Sequence, residues 1–559
     1  MRRHDRHRSR TAHPGRRRVP ARRGRGRVHR RRGTGPDRHV RDGRRRGRRD
    51  AGGLVTSPGD VSFLDTTFRD GSQSLWAMGI RYGMMEALAG DLDRAGFAHI
   101  EVPANAIFFK KMVRDLREDP WDTMRMLART ITRTPTTCMG GVGGNLNGFG
   151  TPTAPVLGEL FAEKLAEIGV MNRAQLMANT ADQTIRQFPT AVPRARELGL
   201  TVALAVCYTI SPRHTDEHFA ETTRRCAALK PDVIYIKDAG GLLTVDRIRT
   251  LLPVVMREAG DIPVELHSHC TTGLAPLVYL EALQLGARTL HCGVPPLADG
   301  SAQPSVLTTA RNARVLGFTP TVDEELLESV STRLREFAQR DGMPLGVPLA
   351  HDANHYRHQI PGGVISNLRH QLAGIGMGDR LADVLEECVT IREELGYPIM
   401  ITPYSQYVAT QAAINVASGK RYDVVIDELV RFAQGAYGED SGHTWMDPDL
   451  RDRFLALPRA AELAEAARRT PAEVTLDDVR QTIGAPGISD EELILRAIMQ
   501  GTAEIDAMRA AGAPRTYHSG DLPLRTLIDR LGETSRVRYV QVARGDTTME
   551  LRSRKETAS

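Results

Sequence analysis

From Ser62 to Gly293 the sequence alternates short apolar runs with longer amphipathic stretches, and this alternation leaves few folds open. The runs that read as strands are Ser62–Phe68, His99–Val102, Thr136–Gly140, Gln175–Ala178, Val202–Thr209, Asp232–Ile236, Pro263–His269 and Thr289–Gly293. Stretches such as Met84–Ala95, Leu157–Ile168, Asp216–Ala228, Val245–Glu258 and Leu277–Leu285 carry helical periodicity between them. Eight successive β-then-α units predict a closed (β/α)8 barrel, which places chemistry at the C-terminal ends of its strands. After Thr321 the strand signals stop and helical patterns continue to about Ala511. Near the end, Leu522–Leu531 reads as a short amphipathic helix, and Arg536–Val542 alternates apolar with polar residues. A Gly545-Asp546 turn then precedes Thr548–Leu551. The predicted fold class is therefore α/β: a (β/α)8 TIM barrel over residues 56–320, a mainly helical domain over 321–512, and a small α+β segment over 513–559.

Charge divides the chain into two unlike pieces. The 559 residues sum to +7, yet residues 1–50 hold 22 Arg and 4 Asp, a net of +18. The remainder holds 53 basic and 64 acidic side chains, so the catalytic body is expected to be acidic and not a nucleic-acid binder. Residues 1–55 have too little apolar content to offset their chain entropy and are expected to form a disordered tail. The same Arg/Gly/Pro mixture is what GC-rich DNA upstream of a start near Val55 would encode. No apolar run approaches the ~18–20 residues of a membrane span, and no apolar stretch near the N-terminus suits a secretory signal. Six cysteines without a CxxC spacing fit reduced thiols in a cytoplasmic protein.

The strongest chemical signal is His267-Ser268-His269 at the end of the seventh predicted strand. A spacing of two puts both imidazoles on one face, within reach of one ion; alternatively they are two partly exposed histidines at a strand end. Asp65-Thr66-Thr67-Phe68-Arg69-Asp70-Gly71-Ser72-Gln73 places Arg69, Asp70 and Gln73 at the mouth of the first strand. In a closed barrel only the eighth strand separates the first from the seventh, so Asp70 can join the histidine pair. Two imidazoles and a carboxylate suit Zn, Mn or Co. Lys237 closes the sixth apolar run and points toward the barrel mouth. There it either pairs with Asp238 or Asp70, or reacts as a neutral amine with CO2 to give a carbamate ligand.

The segments DTTFRDGSQS, YIKDAGGLLT and HSHCTTGLAP, in this order, resemble the carboxyltransferase domain of pyruvate carboxylase. The same domain occurs in the oxaloacetate decarboxylase α chain and in the pyruvate-binding transcarboxylase subunit. The resemblance extends through Glu118–Trp121, Ser301–Pro304, His358–Leu368, Gly396–Gln406 and Thr410–Val416. It implies a carboxyltransferase subunit that moves a carboxyl group between carboxybiotin and a 2-oxo acid by way of an enolate. Asp70, His267, His269 and carbamylated Lys237 would hold the metal, and Thr402 would shuttle a proton between the substrate methyl and biotin. Gln73, with Arg69 beside it, would bind the 2-oxo acid. Because no Ala-Met-Lys-Met-like hairpin is present, either biotin is carried on a separate carrier protein, charged by a separate biotin carboxylase subunit, or the enzyme has dispensed with biotin. Residues 519–553 resemble the segment that precedes a biotinyl domain, and a homo-oligomer is the expected assembly.

The chain departs from this pattern in two places. Val142 and Phe149 stand where the resemblance implies a carboxylate-clamping Arg and a Tyr, and Met177–Asp182 replaces a Phe-Asp-Ala-Leu-Asn-Asp motif. Valine cannot supply a bidentate contact, so either the substrate is not pyruvate or another arginine, with Arg173 as a candidate, takes over. Two other classes share part of the pattern. One is a metal-dependent aldolase or acyl-CoA lyase of the 3-hydroxy-3-methylglutaryl-CoA lyase or isopropylmalate synthase type, which would lack Lys237 and the Thr402 region. The other is a non-catalytic subunit that docks a carrier protein.

Overall fold

The computed structural model describes residues 59–140, 142, 146, 154–178, 187–438, 441–469, 474–517, 539–544 and 547–552. The arginine-rich segment, Phe149, the stretch between Ala178 and Gln187 and the helix expected over 522–531 lie outside the described residues.

Eight strands form the barrel: β1 Asp60–Asp65, β2 His99–Glu101, β3 Thr136–Met139, β4 Arg173–Ala178, β5 Thr201–Cys207, β6 Val233–Asp238, β7 Val264–Ser268 and β8 Thr289–Cys292. Each pairs in parallel with its sequence neighbour, and β1 closes the sheet by pairing with both β2 and β8. Helices lie between the strands, as parallel pairing requires. Their starts are fixed locally. Thr244 accepts from the Arg247 amide at 3.1 Å, and Asp119 accepts from the Trp121 amide at 2.8 Å with Pro120 in the first turn. Outward-facing Val202, Leu204 and Val206 of β5 are buried under these helices, which is why that strand reads as an unbroken apolar run.

The first strand is shorter than its sequence suggests. It ends at Asp65, and Thr67–Gly71 winds into a wide helical turn. The Asp65 carboxylate causes the change, accepting from the Thr67 amide at 3.2 Å and the Thr67 hydroxyl at 2.5 Å. Those bonds offer the backbone an alternative to the ladder. The β4 strand begins two residues earlier than its apolar run, because Arg173 is buried inside the barrel.

Beyond the barrel, helices Gly362–Gly374, Leu381–Glu394, Tyr404–Ser418 and Asp427–Ala433 share a second core built on Cys388, Ile391, Tyr404, Ala412 and Phe432. That core continues into the barrel through Ala203, Ala205, Cys207 and Tyr235. Helices Asp490–Met499 and Ala503–Ala510 instead return to the barrel core, where Leu493, Ile498 and Ile505 are buried. Strands Tyr539–Arg544 and Thr547–Arg552 form an antiparallel hairpin. Among the described residues, no helix is long and apolar enough to cross a membrane. All six cysteines are buried and free of disulfides.

Candidate metal centre and active site

Alternation along β6 and β7 brings the predicted ligands together. Lys237 on β6 sits in register with His267 on β7, and His269 follows one residue beyond the strand's end. The helical turn after β1 carries Asp70 to the same point. Its Oδ2 lies 3.2 Å from His267 Nε2, 3.5 Å from His269 Nε2 and 3.9 Å from Lys237 Nζ. All four side chains are buried. Asp238, the other partner considered for Lys237, points away. Its carboxylate accepts from the Leu242 and Leu243 amides at 2.8 and 2.9 Å and from the Ser268 hydroxyl at 2.7 Å. It therefore folds the Gly240-Gly241 loop and leaves Lys237 to the site.

The donor set fits a divalent cation. His269 Nδ1 lies 2.7 Å from the Ser301 carbonyl, which can only accept, so in the neutral ring the proton sits there and Nε2 is a lone pair. His267 Nε2 lies 3.3 Å from His269 Nε2, and the ligand atoms of Asp70, His267 and His269 all fall within 4.8 Å of one another. Electron pairs converging at such distances repel unless a cation or a proton donor lies between them. Gln303 Nε2 meets all three, at 3.3 Å from Asp70 Oδ2, 3.2 Å from His267 Nε2 and 2.9 Å from His269 Nε2.

Burial and charge tune the groups. Burial disfavours the Asp70 carboxylate, but the Arg69 guanidinium and the facing histidines hold it well below the usual range, so it is ionised. Burial, reinforced by the nearby Lys237, pushes His267 well below its ordinary value and keeps the ring neutral. Burial also lowers Lys237, with Asp70 opposing the shift, which raises the fraction of neutral amine available to CO2. Arg69 is shared between two carboxylates, at 3.1 Å from Asp70 and 2.6 Å from Glu101. Its Nε and Glu101 Oε2 are both buried without a partner among the described residues.

A cavity of about 1080 Å3 opens above this cluster. Arg69, Asp70, Gln73, Lys237 and His269 line its floor, and Thr402 joins them from the turn preceding helix Tyr404–Ser418. Val142, Leu146, Phe161, Leu176, Met177 and Phe188 give one wall an apolar character. Arg173, the candidate substitute for the carboxylate clamp, does not line the cavity. It is bound by both oxygens of Glu265, at 2.9 and 2.5 Å, inside the barrel. Sequence reading assigned no role to Glu101, Glu265, His291 or Gln303. Glu265 was accessible from period two alone, since it shares a strand face with His267.

Comparison with known proteins agrees with this picture. The family profile described as HMGL-like matches residues 165–333, and the one described as a conserved carboxylase domain matches residues 356–537. A pyruvate carboxylase subunit of Methanocaldococcus jannaschii is 34% identical over 397 residues, covering 71% of this chain and 68% of that protein. The 2-oxoglutarate carboxylase large subunit of Hydrogenobacter thermophilus is 28% identical over 450 residues, covering 78% of this chain and 67% of that protein. The fold matches a variant of the carboxyl transferase domain of Rhizobium etli pyruvate carboxylase with pyruvate, with a TM-score of 0.71 and 19% identity over 88% of this chain and 84% of that one. With one match in the barrel, another in the helical region and a relative above 30% identity across both, the chain belongs to the carboxyltransferase family of the biotin-dependent carboxylases.

Proposed function

We propose that this chain transfers a carboxyl group between biotin on a separate carrier protein and a 2-oxo acid, at a divalent metal held by Asp70, His267, His269 and carbamylated Lys237. The observation that carries the reading is the meeting of Thr402, from the helical region, with Lys237, Asp70, His269, Arg69 and Gln73 around one cavity. A lyase built on the barrel alone would have no use for Thr402, and the carboxylase profile covers the region that supplies it.

When bound, the metal acts as a Lewis acid toward the substrate carbonyl. The chain's own groups do the rest. Gln73 and Arg69 orient the 2-oxo acid at the floor, with Glu101 holding the guanidinium in place. The Thr402 hydroxyl moves a proton between the substrate carbon and the biotin ring nitrogen. The apolar wall from Val142 to Phe188 excludes water, so that released CO2 meets the enolate before it is hydrated. Relatives are named for pyruvate and for 2-oxoglutarate. Val142 lines the wall where the resemblance implies an arginine and Arg173 is bound to Glu265, which leaves Arg69 and Arg431 as cavity-lining arginines among the described residues. Hence the substrate class proposed here is 2-oxo acids in general, and a biotin carboxylase chain would recharge the carrier.

Transfer is measured with carboxylated biotin against pyruvate, 2-oxoglutarate and malonyl-type acids. Thr402→Ala is expected to lower transfer by about 100- to 10,000-fold, the usual range for a lost proton-transfer group, while metal content stays unchanged. Unchanged transfer in Thr402→Ala removes the assignment.

A further inference from the structure

Beneath the proposed metal centre runs a file of buried polar side chains that the transfer reaction does not itself use. Arg173 donates to both oxygens of Glu265. Glu265 Oε2 lies 2.9 Å from His291 Nε2, and His291 Nδ1 lies 3.1 Å from His267 Nδ1. All four side chains are almost completely buried, and outside the file Arg173 Nη1 also lies 3.4 Å from His99 Nδ1. The Tyr235 ring stacks on His291 at 5.5 Å and fixes its plane.

We propose that Arg173, Glu265 and His291 form a directional hydrogen-bond chain that sets the ring tautomer of His267 and so makes its Nε2 a metal ligand. With both imidazoles neutral, the direction follows from donor and acceptor inventory. A guanidinium can only donate, so Glu265 accepts from it. A carboxylate engaged on both oxygens by arginine has only acceptor capacity left, so His291 Nε2 carries the proton between them. Neutral His291 then presents a bare Nδ1, and His267 Nδ1 must donate to it. That leaves the His267 Nε2 lone pair facing Asp70 and His269. Between neutral rings, reversing any bond would place two donors or two acceptors against each other in a buried site, which costs more than the bond contributes. Arg173, Glu265 and His291 are therefore positioning residues, acting on the metal only through His267. The inference rests on the metal reading above.

Two measurements on the full-length, metal-stripped protein test it. In 15N-histidine NMR spectra of the wild type, His267 is expected to carry its proton on Nδ1; a proton on Nε2 overturns the proposal. Affinities for Zn2+ and Co2+ are then compared between the wild type, His291→Phe and His291→Asn. Phenylalanine removes the acceptor and is expected to weaken binding about 10- to 100-fold, whereas asparagine offers a carbonyl oxygen where Nδ1 was and restores it. Equal weakening by both, or none by His291→Phe, overturns the chain. A wild type that binds neither metal, and that behaves as Asp70→Asn does, refutes the metal reading instead. The tautomer then still decides the hydrogen-bond chain. Should His291→Phe fail to fold, the wild-type tautomer stands as the deciding result.

Discussion

Lys237 shows how far one residue can be read alone. A lysine closing an apolar run has to be neutralised, paired or modified, and the sequence left those choices open. The structure removes Asp238 as a partner, because that carboxylate is spent on the Leu242 and Leu243 amides. It leaves Asp70 at 3.9 Å, a long contact for an ion pair with a desolvated amine. A carbamate would carry oxygen toward the same ligands. Lys237→Ala is accordingly expected to lose bound metal and transfer activity together, with metal content read by elemental analysis. Retention of full metal occupancy would make Lys237 an ion-pairing residue only. Arg69 illustrates the opposite limit. Its place at the first strand's mouth was legible from the Arg-Asp-Gly turn, but its engagement by Glu101 at 2.6 Å was not, since the two are far apart in sequence.

The loops after the strands decide the geometry at the level of elements. The Asp238–Leu243 turn after β6 and the His269–Gly273 turn after β7 touch through Gly241, whose φ is +65°. A Cβ at that position would collide with the His269 carbonyl oxygen. Gly241→Ala is expected to destabilise the protein by about 3 kcal/mol, from left-handed strain plus the backbone clash, and to weaken metal binding by displacing His269. Urea unfolding and metal titration of the same variant check both effects. Gly71, in the turn after β1, is held to a bare Cα by the Leu297 carbonyl, which a Cβ there would strike. The strand order and most strand positions were evident from hydrophobic periodicity, which is a local property. The early end of β1 was not, because it depends on one side chain, Asp65, outcompeting the sheet for the Thr67 amide.

At the scale of the whole molecule, buried histidines in the barrel and in the helical region tie stability to pH. Burial together with the positive charge of Arg173 pushes His99 down to about 3, and burial together with His355 pushes His358 to about 4. In the unfolded chain both return to about 6.5, so below that pH the unfolded state binds more protons and stability falls as pH falls. Each histidine contributes about 1.4 kcal/mol per pH unit between about pH 6.5 and 4.5, and Asp65, which burial raises to about 7, opposes them with the weight of one such group, so a net loss is expected. Urea midpoints of the metal-free protein across that range check this, and a level profile would contradict it. What the sequence by itself determined was whatever short-range periodicity encodes: the eight β-then-α units, the paired histidines on one strand face, and the residues at the strand mouths. Only the tertiary structure decided which groups meet. Thr66 and Gln303 are 237 residues apart, Arg173 and Glu265 are 92, and Thr402 reaches the cavity from a different core. Such pairings follow from closure of the sheet and docking of the helical region, and side chains brought together in that way leave no local signature in the chain.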